Sequence, residues 1–142
     1  MTEAEKILKM IETVAPDDVA MLDEIDCRVR CYVMGWGYGA IHLNDYWNSQ
    51  QQDPAYHAEN YPHYTRSRDA LKAIRPKGWW FSVSGYGQTF HAVATWSGNP
   101  EDVVLTSART FGSGKANKTE ELAELHVIIQ ATERDRAHNQ KP

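Results

Sequence analysis

Cys27 and Cys31 are the only cysteines in this chain of 142 residues. They stand four apart in a helical pattern, which puts both thiols on one helix face, where backbone geometry disfavours a disulfide. Neither CxxC nor HxxxH spacing accompanies them, so zinc is not indicated either, and two reduced, buried thiols are expected. No apolar run approaches the roughly 20 residues of a membrane helix, and no signal-peptide core is present. That pattern predicts a cytoplasmic protein without a membrane contact. Positive charge is scarce: 15 Lys and Arg against 19 Asp and Glu leave a formal net charge of −4, which argues against non-specific nucleic-acid binding. Motifs of chemistry are also missing. There is no G-x-S-x-G elbow and no placed triad. GWGYG lacks the spacing and context of a dinucleotide fingerprint, and GSGKANKT does not satisfy the P-loop pattern. The sequence therefore reads as a protein with no catalytic role and no cofactor.

What the chain does have is a regular order of elements. Thr2 and Glu5 form a capping box ahead of a stripe of Ala4, Ile7, Leu8, Ile11 and Val14, and Pro16 ends that helix. Asp17 or Asp18 caps a second helix, with Val19, Leu22, Ile25, Val29 and Val33 inward and an end near Gly35. Residues 1–34 thus form a helical hairpin. Residues 35–64 show no sustained period, yet hold seven of the chain's fifteen aromatic residues, and read as an aromatic-rich loop packed on the domain.

Residues 65–137 read as a helix–meander–helix core. Thr65 caps a short helix with Ala70, Leu71 and Ile74 inward, closed by Pro76. In WWFSVS, Trp79, Phe81 and Val83 face one way while Trp80, Ser82 and Ser84 face the other. Gly85-Tyr86-Gly87-Gln88 is a hairpin turn, and the returning strand alternates Phe90, Ala92, Ala94 and Trp96. DVVLTSARTF supplies a third strand. Asn117 and Glu120 make another capping box before a helix burying Leu122, Leu125, His126 and Ile129. Residues 138–142 are a polar tail. The expectation is one α+β domain over 1–142: an antiparallel sheet of three or more strands layered with helices, in the order α-α-loop-α-β-β-β-α.

Three stretches carry a resemblance. PHYTRSRDA (Pro62 to Ala70), then LKAI, then PKGW (Pro76 to Trp79) are similar to a block in the phage ABA-sandwich domain family of phage and prophage proteins. LDEIDCRV resembles the acidic helix that opens such proteins, and the helix after Asn117 resembles the one that closes them. Lys77 departs from the pattern, where an acid is more usual, and so do a less alanine-rich last helix and the additional first helix. The resemblance implies a sheet layered with helices and a phage or prophage origin. It implies no activity.

Candidate sites cluster in and after the loop. His57, Glu59 and His63, with Asp53 and His42 nearby, offer metal ligands, but two histidines six apart across Pro62 fit no local zinc spacing. His91 and His126 are the candidates for acid–base chemistry, set against structural, hydrogen-bonded roles. The most suggestive surface combines Trp36, Tyr38, Trp47, Tyr56, His57, Tyr61 and Tyr64 with Arg66 and with Arg68, Lys72 and Arg75, whose spacing places them on one solvated helix face. Such aromatics serve as anchors in a protein interface or stack on a base. The expected function is a phage accessory protein that binds a host or phage protein, with antagonism of a bacterial defence system such as CRISPR as its purpose. The alternatives are a small-ligand binder that sequesters a nucleotide signal, and a structural phage protein. Self-association stays open.

Overall fold

The computed structural model describes residues 1–37, 62–86, 89–96, 104–106 and 119–139. Helix α1 spans Glu3–Thr13. The Thr2 hydroxyl accepts from the Glu5 N–H, and the Glu5 carboxylate accepts in return from the Thr2 N–H, the expected reciprocal cap. Its buried stripe is Ala4, Ile7 and Ile11, continued by Val14. Helix α2, Val19–Val33, is capped by Asp18, whose carboxylate accepts from the Met21 N–H. Val19 was expected inward but is 46% exposed, because it occupies the first helical position and precedes the buried stripe.

Helix α2 ends as its glycine predicts. Gly35 takes φ +75°, its N–H donates to Tyr32 O, and the Trp36 N–H reaches back to Cys31 O. Helix α3 spans Arg68–Ile74 and is capped by Ser67, which accepts from the Ala70 N–H; the expected cap, Thr65, is engaged elsewhere. Arg75, before Pro76, is extended and closes the helix.

Strands β1 (Trp79–Tyr86), β2 (Thr89–Trp96) and β3 (Val104–Thr106) form an antiparallel meander in that order. Strand β1 runs through Gly85, which was expected in the turn; Gly85 pairs with Phe90, whose ring lies over it. The alternation is as read from the sequence. Trp79, Ala92 and Ala94 are buried, with Phe81, Val83, Phe90 and Trp96 packed around them, while Trp80 stands in solvent. Trp79 and Trp96, opposite each other in register, meet edge to face at 5.4 Å.

Helix α4 spans Glu120–Asn139 and starts at Thr119, whose hydroxyl accepts from the Leu122 N–H. The expected cap, Asn117, lies outside the described residues. Ala123, Val127 and Ala131 pack against the sheet, whereas Leu122, Leu125, Ile128 and Ile129 join the cluster formed with α1, α2 and α3. Helix α4 is thus buried on two sides, between the sheet and the helical layer. The fold is α+β, with four helices and a three-stranded antiparallel sheet among the described residues. No helix among those residues is long and apolar enough to cross a membrane.

Candidate functional site

The PHYTRSRDA block turns back onto α2 and grips two buried acids. Asp23 and Asp26, three apart, share one face of α2. Asp26, with no exposure, accepts from the Thr65 N–H at 2.8 Å and the Thr65 hydroxyl at 3.2 Å. Arg66 Nη2 donates to Asp26 Oδ2 at 2.9 Å and to Asp23 Oδ1 at 2.6 Å. It also lies 2.8 Å from His63 Nδ1, which is 3.3 Å from Asp26 Oδ2. The carboxylates and their hydrogen bonds hold the Arg66 guanidinium above its usual range, although burial acts first and in the opposite direction.

Asp23, Asp26 and His63 present ligand atoms within 4.8 Å of one another, a spacing that suits a metal. The guanidinium of Arg66 already bridges both carboxylates, so the cation this set holds is its own arginine. His63 therefore belongs to an ion-pair network built on α2. Its proposed companions His57, Glu59, Asp53 and His42 lie outside the described residues, as do Tyr38, Trp47, Tyr56 and Tyr61.

The basic face of α3 meets acids of α4. Arg68 donates to Glu120 at 2.8 Å and to Glu124 at 3.3 Å, and Arg75 donates to Glu124 at 2.5 Å. Glu124 is 1% exposed, so these two arginines bind α3 to α4 rather than presenting a free cationic surface. Lys72 keeps to solvent, 4.0 Å from Asp69. Tyr64, expected to offer its ring, is also buried at 1% exposure. Trp36 remains half out, with the Arg30 guanidinium over its ring at 6.0 Å.

The two histidines do not meet. His91, half-buried on β2, has Nε2 3.0 Å from the Ser84 hydroxyl. His126 is buried in α4, with Nε2 3.3 Å from Glu12 and Nδ1 2.8 Å from the Gln130 amide. Burial drives its pKa below the ordinary 6.5, against the pull of Glu12. Gln130 Nε2 also donates to Thr106 O at 2.7 Å, so this ring sits in a chain of bonds joining α1, α4 and β3. Cys27 and Cys31 are both buried and not joined in a disulfide, as expected.

Two surfaces stand apart from this internal bonding. The outer sheet face carries Trp80, 69% exposed, in register with Thr95 and then Val104, itself 55% exposed. Between the C-terminal half of α2 and α3 lies a cleft of about 840 Å³, lined by Val33, Met34, Ala70 and Ile74 and by polar groups that include Arg30 and Tyr64. Sequence reasoning placed Trp80 outward by strand alternation but did not select it, and Arg30 carried no signal in the α2 period. No family model, curated protein or solved structure matches this chain.

Proposed function

We propose that this chain is a non-catalytic binding protein of phage or prophage origin, acting in the host cytoplasm, that engages a host or phage protein through the outer face of its sheet. The observation that carries the reading is the row Trp80–Thr95–Val104, which crosses all three strands with a large aromatic and a branched aliphatic side chain in solvent. A tryptophan held on a rigid strand is the chemistry of an interface anchor, since it buries a large area at low entropic cost. Among the described candidates, His63 and His126 are engaged in hydrogen bonds within the fold, which supports binding over catalysis at those positions. The PHYTRSRDA resemblance supports the phage setting, and in that setting antagonism of a bacterial defence system is the purpose we assign.

The test is capture of a stoichiometric partner from host lysate by the wild-type chain and by Trp80→Ala and Val104→Asp. Truncating such an anchor should cost about 2 kcal/mol or more, roughly thirtyfold in Kd. A partner that both variants bind as tightly as wild type removes the sheet face from the proposal. Charge reversal at Arg68 or Arg75 is a poor probe here, because it would break the contact with Glu124 and perturb the fold.

A further inference from the structure

Arginines in the described parts of this protein are mostly matched to acids. Arg28 holds Glu3, Arg66 holds Asp23 and Asp26, and Arg68 and Arg75 hold Glu124. Arg30 is different. It is half-buried in the cleft between α2 and α3, and among the described residues no carboxylate lies within ion-pair distance of it. Its Nε is buried without a hydrogen-bond partner, and its guanidinium lies over the Trp36 ring.

Beside it, Tyr64 lines the same cleft. Its hydroxyl is buried without a hydrogen-bond partner; burial pushes its pKa up, and the Arg30 guanidinium is near enough to pull against that stronger push. A half-buried cation and a buried hydroxyl without partners leave unmet hydrogen-bonding capacity in the same place, which is costly unless something is bound.

We propose that this cleft binds a small organic carboxylate with an apolar body. The carboxylate would sit on the Arg30 guanidinium and accept from the Tyr64 hydroxyl, and the body would lie along Val33, Met34, Ala70 and Ile74. Size agrees, since about 840 Å³ falls within the range of small-molecule sites, roughly 300–1,000 Å³. Charge selects the head group. One unmatched guanidinium balances one negative charge and presents a planar fork that fits a carboxylate, whereas a phosphate dianion would leave excess charge in a half-buried place.

The other polar groups of the cleft do not compete. The Ser67 hydroxyl accepts from the Ala70 N–H, the Thr132 hydroxyl donates to Ile128 O, and Arg75 holds Glu124. His63 faces Asp26 and Arg66, while the one acid of the lining, Asp69, is 97% exposed beside Lys72. This site lies on the helical layer and is independent of the sheet-face interface.

Calorimetric titration of the full chain with phenylbutyrate, and with the neutral phenylbutanol of the same shape, tests the assignment. The acid should bind at least about tenfold tighter than the alcohol, because only it forms charge-assisted bonds. Arg30→Ala should lose that tenfold, Arg30→Lys should keep part of it, and Tyr64→Phe should lose about fivefold, one hydrogen bond. The lysine and phenylalanine variants retain the packing of their sites, so the prediction survives a misfolded alanine variant. Trp80→Ala should bind phenylbutyrate like wild type, which keeps this result separate from the protein-partner reading. Equal affinity for acid and alcohol, absence of binding by either, or unchanged affinity in Arg30→Lys and Tyr64→Phe would overturn the proposal. So would inorganic phosphate or adenosine monophosphate displacing phenylbutyrate, which would assign the site to phosphate instead.

Discussion

Asp26 concentrates more of the fold's polar bonding than any other residue at the α2–α3 junction. Three donor groups from Thr65 and Arg66 converge on a carboxylate with no exposure. Asp26→Ala should therefore destabilise the protein by about 2–3 kcal/mol, since it leaves the two buried Thr65 donors without an acceptor and leaves Arg66 only Asp23 of its two carboxylates. Urea midpoints at constant slope would measure this; a loss below about 1 kcal/mol would mean that the network is not closed in solution. His126 gives a pH signature. Its folded-state pKa lies below the ordinary 6.5, so the unfolded chain takes up the proton first as pH falls. The stability tied to neutral His126 is present above about pH 6.5 and is lost as pH drops through the folded value. His126→Gln should flatten this slope in urea titrations run from about pH 8 to about pH 5, and an unchanged slope would assign it to other groups. Cys27 is the third case. Burial first, and then Cys31 beside it, push its thiol up to about 12, so it should resist a disulfide-exchange reagent near pH 8 until the chain is unfolded. Rapid native labelling of Cys27, mapped by mass spectrometry, would contradict that.

At the scale of elements, local signals did best where the determinant is local. The reciprocal cap of α1, the glycine that ends α2 and the alternation of β1 and β2 are each set by residues within a few positions of one another. The cap of α3 shows the limit. Thr65 and Ser67 are equally good caps by chemistry, and Asp26, 39 positions away, decides between them by taking Thr65 for itself. The basic face of α3 was read without its acid partner for the same reason: its spacing is right, but Glu124 lies 49 positions from Arg75 and 56 from Arg68. Helix α4 hid half of its buried surface because Ala123 and Ala131 add little to an apolar stripe, and their burial depends on a sheet no helical period can reveal. Of the candidate site, Tyr64 and Trp36 were legible as aromatics near an interface, but Arg30 was not, since lacking an acid partner is a tertiary property. Gly78 offers a test at this scale. It takes φ +89°, and an added Cβ would stand 2.6 Å from the Trp96 ring. Gly78→Ala should cost more than the roughly 1 kcal/mol of a left-handed backbone alone, read as a lowered Tm, because Trp96 must also move away from Trp79.

For the molecule as a whole, the two apolar clusters are not separate cores. Phe81 packs against both, and α4 contributes buried residues to each from opposite sides. Unfolding followed by helical circular dichroism and by tryptophan fluorescence, which reports mainly on the sheet, should give coincident transitions; separated midpoints would show that the helical layer holds without the sheet. The pins across α4 reinforce this unity: Trp79 Nε1 reaches Asp135 at 3.1 Å, and Gln130 reaches Thr106 O. The placement of α4 also imposes an order of events during synthesis. Every element that it joins precedes it in the chain, and translation adds only about 5–20 residues per second. Until the ribosome releases the segment from Glu120 onward, Ile7, Ile25 and the inner face of the meander have no common surface to close on. The nascent chain must therefore keep that apolar surface open until α4 has emerged, which should make it a client for holding chaperones during those seconds, and a premature stop before α4 should yield an aggregating fragment rather than a smaller folded protein.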